Sequence, residues 1–160
     1  HQGSATIELR RLGISSDHRV RELSKAQLWR LELQSGQLNK ATLSLWENAI
    51  RSIPDELRGG AYYVLGAARQ RRRQYDQAAA ALLWVPLVYD QDYQLAARAC
   101  LEAGECLRAI GQRSEAATLY REVTLRYGDS DYAQDAAQTL KSLQETPADS
   151  SADLGERGSK

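Results

Sequence analysis

Tyr62-Tyr63-Val64-Leu65-Gly66-Ala67-Ala68 and Cys100-Leu101-Glu102-Ala103-Gly104-Glu105-Cys106 read as two versions of one segment, their glycines 38 residues apart. The same offset pairs Ala78 with Ala116, Leu82 with Tyr120 and Val85 with Val123. A fixed period of this length marks stacked repeats, because one such unit cannot bury its apolar face alone and must lean on the next. Stacked helical units build extended binding surfaces and rarely active sites.

Working outward, the chain divides into helices. Residues 5–16 are ambiguous, since Thr6-Ile7-Glu8-Leu9 alternates like a strand yet the stretch equally begins a helix. Ser15-Ser16-Asp17 offers capping oxygens for a helix over about 18–34, which Ser35-Gly36 ends. A second helix runs over about 38–52, and Pro54 opens a third over about 55–72, a first-turn position that suits proline. The fourth begins near Asp76 and carries Ala78, Leu82, Val85 and Tyr89 on one face. Pro86 lies inside it and lacks a backbone donor, which predicts a kink or an early end and a lengthened turn that accounts for the 38-residue spacing. The fifth, about 92–110, is expected to bury Ala96, Cys100, Ala103, Leu107 and Ile110 and to end on a left-handed Gly111. Ser114 is expected to cap the sixth, whose buried face is Ala116, Leu119, Tyr120, Val123 and Tyr127. A seventh, about 131–145, has one apolar face (Ala133, Ala136, Leu140, Leu143) and one polar face, as a terminal capping helix requires. From Thr146 apolar content nearly vanishes, which predicts disorder or a linker.

Composition bounds the rest. An apolar fraction of 42% and a charged fraction of 26% are those of a globular chain, with no run long enough to span a membrane as a helix. With His1 first and no methionine, the chain reads as a processed mature form or an excised piece. The net charge of zero hides a polarity. Residues 1–73 carry 13 Lys/Arg and 7 Asp/Glu, a net +6, and residues 74–160 carry 8 and 14, a net −6. Such ends can steer a partner or drive head-to-tail self-assembly. Cys100 and Cys106 point to different faces of one helix and cannot bridge each other, so buried packing is their expected role.

No catalytic constellation emerges. His1 and His18 are the only histidines, no Cys/His set has zinc spacing, and neither a phosphate-binding glycine loop nor a serine elbow occurs. We therefore expect a non-catalytic chain with no cofactor, no metal and no small-molecule substrate. The run Arg69-Gln70-Arg71-Arg72-Arg73 offers four guanidiniums, which admits a nucleic-acid-binding module as an alternative. No aromatic is interleaved there, however, and cations at a helix C-terminus complement its dipole for about 0.3–1 kcal/mol each.

Leu65-Gly66, Tyr75, Ala78 and Leu82, then Gly104, Gly111, Ala116 and Tyr120, resemble the tetratricopeptide repeat (TPR) pattern. An earlier unit reads Trp29, Gly36, Leu38, Ala41 and Leu45, about 37 residues upstream of its counterparts. Trp29 stands there at the glycine position, so that unit is expected to be splayed or to act as an N-terminal cap. The resemblance implies an all-α, TPR-like right-handed α-solenoid of three helical hairpins plus a C-terminal capping helix. Residues 18–145 would form it, after an N-terminal extension over 1–17 and before a tail or linker over 146–160. The stretch from Tyr127 to Ala136 also resembles the joint of bacterial cell-envelope TPR proteins, with Gly128 in place of a proline, which implies a periplasmic or envelope setting.

In TPR proteins the first helix of each repeat lines a concave groove. Carried over by position, the groove residues are Arg30, then Tyr63, Ala67, Gln70 and Arg71, then Arg98, Leu101, Glu105 and Arg108. Ala67 and Glu105 stand where a carboxylate clamp would need asparagines, which argues against chaperone-tail binding. The mixture suits a partly acidic peptide or a partner helix, with Tyr and Arg as the residue types that most often dominate interface energetics. Such a module would act as a protein–protein scaffold.

Overall fold

The 38-residue offset holds at every boundary of two successive hairpins in the computed structural model, which describes residues 2–36 and 38–145. Helices α1 (Gln2–Leu12), α2 (His18–Ser35) and α3 (Lys40–Ala49) come first, and a 3-10 turn, Ile50–Ser52, extends α3. Helices α4 (Asp55–Arg71) and α5 (Tyr75–Val88) form the next hairpin, α6 (Tyr93–Ala109) and α7 (Arg113–Arg126) the one after, and α8 (Ala133–Glu145) closes the series. Both α4 and α6 have 17 residues, and both α5 and α7 have 14. The described residues contain no strand, and the ambiguous stretch 5–16 resolves as helix up to Leu12 followed by a turn. The expectation of disorder from Thr146 onward lies outside the described residues.

The caps explain where the helices start. The Asp17 carboxylate accepts from the backbone N–H groups of Arg19 and Val20, and Asn39 and Asp92 accept from Thr42 and Leu95. Each satisfies donors that the first turn cannot satisfy internally. Gly36 and Gly111 turn the chain with φ of 73° and 83°. Ser114 is not the cap of α7. Gln112 takes that position, one residue after the left-handed Gly111, and Ser114 lies inside the first turn. Pro86 does not shorten α5 either, because proline-free α7 ends at the equivalent residue, with Tyr89 and Tyr127 as matched C-caps. Proline is tolerated because it sits in the last turn, and the 38-residue spacing belongs to both hairpins, not to Pro86.

Two buried clusters hold the helices together. One joins α2, α3 and α4 through Trp29, Leu43, Trp46, Ile50, Ile53, Val64 and Leu65. The other joins α5, α6, α7 and α8 through Leu82, Val85, Cys100, Cys106, Tyr120, Val123 and Ala136. From α4 to α8 each helix packs on its chain neighbour, and α4 also meets α2 and α6. The cysteines are free and buried, and burial pushes each thiol up to about 12. Ile110, expected inside, is 39% exposed, since it follows the end of α6 where the chain turns outward.

The glycines carry the tightest contacts. A Cβ placed on Gly66 would lie 2.5 Å from Leu82 Cγ, and one on Gly104 would lie 2.7 Å from Tyr120 Cε1. Leu82 and Tyr120 are fully buried and have nowhere to retreat. Gly104→Leu is therefore expected to destabilise the chain by about 3 kcal/mol, read from denaturant unfolding. An unchanged midpoint would mean that α6 and α7 do not meet at this glycine. Arg73 occupies the position of Gly111 with φ of 58°, a conformation that strains a residue bearing a Cβ. Arg73→Gly is expected to stabilise by about 1 kcal/mol in the same measurement.

Candidate functional site

Helices α4 and α6 bring Tyr63, Arg98 and Glu102 together. The Tyr63 hydroxyl donates to Glu102 Oε1 at 2.8 Å, and Arg98 Nε donates to the same oxygen at 2.8 Å. The Arg98 guanidinium lies 5.1 Å from the Tyr63 ring centroid, a cation–π contact. Burial, and then the Glu102 carboxylate that it serves as donor, push the Tyr63 phenol well above its usual range. Tyr63 thus stays a neutral donor, and the three side chains form a closed network across the two helices.

One turn further along α6, Glu105 is half-buried near Gln70 of α4, whose amide favours its ionised form slightly. Burial and the nearby Glu102 carboxylate raise its pKa, against the opposing pull of Arg108. Asp135 of α8 adds a further negative charge. The Tyr120 hydroxyl is buried nearby without a well-formed hydrogen bond. The neighbouring Arg108 guanidinium favours its ionised form, but burial wins and the phenol is raised.

A cavity of about 400 Å³ adjoins this network, with Tyr63 and Arg98 among its lining residues. Its walls come from α2, α4, α6 and the α5–α6 turn, with exposed Arg30 and Arg98 beside it and Leu23, Ala26, Leu57 and Val64 as apolar lining. Glu56 and Asp92 also line it, but Glu56 pairs with Arg19 at 2.5 Å and Asp92 caps α6. Among the described residues, Arg30 reaches only the Gln27 side-chain oxygen, at 3.4 Å.

The structure sorts the expected groove residues. Arg30, Tyr63 and Arg98 line one cavity, and Gln70, Glu105 and Arg108 meet between α4 and α6. Leu101 is not a surface contact: it is 7% exposed and belongs to the core, because its helix face turns toward the neighbouring helices. Arg71 is not free in the groove either, since its guanidinium donates to the Leu33 carbonyl at the end of α2. Two further arginines of that run are also engaged. Arg72 donates to the Leu38 carbonyl at 2.7 Å, and buried Arg69 donates to Glu47 Oε2 of α3 at 2.7 Å. These arginines tie the last turn of α4 to the α2–α3 hairpin.

Gly60, in the cavity wall, escapes a reading by position, as does the part that Glu102 plays as a shared acceptor. Glu102 is one turn from Arg98 on the same helix, a spacing at which opposite charges meet. Its service to Tyr63 on another helix needs three dimensions. Among the described residues no group of His, Cys, Asp and Glu is placed to hold a metal ion, and no helix is long and apolar enough to cross a membrane. No protein-family model, curated protein or solved structure matches the chain.

The raised Glu105 has a testable consequence. A carboxyl whose pKa is higher folded than unfolded binds its proton more tightly in the folded state. Its contribution is most favourable below the ordinary value of 4.5 and is lost as pH rises through the raised value. Glu105→Gln is expected to melt higher than wild type at neutral pH, with the gap closing as the pH falls below that ordinary value. A gap independent of pH would mean that Glu105 is well solvated.

Proposed function

We propose that the chain is a non-catalytic protein–protein interaction module, a TPR-like right-handed solenoid that takes a peptide or partner helix along the face shared by α2, α4 and α6. The observation that carries this reading is the cavity these helices line together, with Arg30, Tyr63 and Arg98 around it. Support for the repeat assignment comes from the helix boundaries, which recur at one offset down to the caps. Between α4 and α6 the surface mixes cations, carboxylates and an aromatic, the chemistry of a polar peptide groove. The partner is therefore a protein segment that is partly acidic. A bacterial cell-envelope setting belongs to the same proposal, resting on the Tyr127–Ala136 joint, in which Tyr127, Ser130 and Ala136 are buried.

The nucleic-acid alternative draws less support. Phosphate binding needs guanidiniums that converge on solvent, whereas Arg69, Arg71 and Arg72 each donate to groups of the α2–α3 hairpin. Self-assembly through oppositely charged ends draws on the charge polarity alone.

A pull-down from cells that make the protein tests the interaction reading. Wild type is compared with Tyr63→Ala/Arg98→Ala/Arg108→Ala, whose fold is checked by circular dichroism. A specific partner is expected to be lost by the folded triple variant. Retention of every partner would place binding elsewhere.

A further inference from the structure

We propose that the cavity between α2, α4 and α6 receives an aromatic side chain of the partner peptide, with a carboxylate of that peptide against Arg30. This rests on the interaction reading above and narrows it. Glycine weakens a helix interior, so Gly60, in the second turn of α4, calls for a reason. Its neighbour has one: a Cβ on Gly59 would lie 3.0 Å from Tyr89 Cβ. At Gly60 a Cβ would meet nothing within 4 Å. Packing does not require that glycine, and its missing side chain opens the cavity wall.

The next step along the chain shows what is missing. At the 38-residue offset, Gly60 corresponds to Arg98 and Val64 to Glu102. At the 37-residue offset that aligns Trp29 with Gly66, Ala26 corresponds to Tyr63. Between α4 and α6, then, the space is filled by the Tyr63 ring under the Arg98 guanidinium, both tied to Glu102. Between α2 and α4 the same three positions hold Ala26, Gly60 and Val64, and the space is open. Loss of the glutamate removes the polar anchor, so the lining there favours a ring over a charged group. The volume of about 400 Å³ lies within the range of small-molecule pockets and exceeds what one aromatic side chain needs.

Charge selects what stands beside the ring. Around the cavity, Arg98 is held by Glu102, Glu56 is held by Arg19, and Asp92 accepts from the Leu95 N–H. Arg30 has no carboxylate partner among the described residues. A peptide carboxylate next to the aromatic residue would complete it by a charge-assisted hydrogen bond.

A randomised peptide display library panned against the full chain, followed by anisotropy titration of the enriched peptide after synthesis, tests the proposal. Enriched peptides are expected to share an aromatic residue adjacent to Asp or Glu. Gly60→Trp fills the cavity from an open helix position and is expected to weaken the synthesised peptide about ten-fold or more, as is Arg30→Glu. Gly60→Ala, which adds one methyl to open space, is expected to raise the melting temperature by about 4 °C, which shows that the fold itself does not need the glycine. Peptides without the aromatic–acid pair, or binding that a folded Gly60→Trp leaves unchanged, would overturn the proposal. If such peptides are nevertheless lost on Tyr63→Ala/Arg98→Ala/Arg108→Ala, the interaction reading survives and only the cavity assignment fails. A library that yields no binder overturns both.

Discussion

Two helices in a hairpin can cross closely only where one of them lacks a side chain at the crossing. In α4 and α6 that place is Gly66 and Gly104, and the side chains pressed against them are Leu82 and Tyr120. Much else depends on this contact. Close crossing lets Ala78 and Ala116 sit fully buried, and it brings Val85 and Val123 onto the same seam. It also fixes the orientation of the opposite face of each first helix. Tyr63, Gln70, Arg98 and Glu105 meet their partners across α4 and α6 only because both helices are held at one depth and one rotation.

The first hairpin shows what happens without the glycine. Trp29 stands in its place and stacks on Trp46 with ring centroids 5.1 Å apart. The backbones of α2 and α3 do not run in close contact as those of α4 and α5 do, so this hairpin is splayed. Leu45, the counterpart of Leu82, is left 68% exposed while Trp46 beside it takes the buried position. The register has slipped by one residue to fit two indole rings. Arginines bridge the opening, as Arg69, Arg71 and Arg72 reach from the end of α4 to Glu47 and to the carbonyls of Leu33 and Leu38. These ties draw on the positive excess of residues 1–73, so part of that charge is engaged inside the molecule and does not face a partner.

How much of this was legible depended on whether a residue acts within its own repeat. Gly66, Gly104, Ala78 and Ala116 recur at one offset, so the helices and most of the core follow from the period. Capping by Asp17 is legible for the same local reason. The failures are positions where local chemistry competes with the turn geometry or with another helix. Ser114 is a good capping residue, but left-handed Gly111 starts α7 one residue before it. Leu101 follows the positional pattern of a groove residue, yet its rotation on α6 turns it into the core. Arg71 looks free beside other cations, and only the end of α2 shows what it holds. Glu102 signals locally only its pairing with Arg98, and Gly60 signals nothing of its role, since one also serves a tyrosine 39 residues away and the other matters by what it lacks.

A repeat makes function readable through its exceptions. Residues that hold the hairpins together must recur, because each crossing poses the same steric problem. Residues at the same position that differ between steps are free of that problem and can differ for another reason. The triplet Tyr63, Arg98 and Glu102 closes one inter-helix step with its own network, whereas Ala26, Gly60 and Val64 leave the preceding step open. Open space between α2 and α4 is not a consequence of splaying alone, since Gly60 could carry a side chain without meeting a neighbour. Stability would favour almost any other residue there. A position where the scaffold permits a side chain, the helix prefers one, and the adjoining step uses one is where selection for an occupant from outside the chain is the simplest physical account.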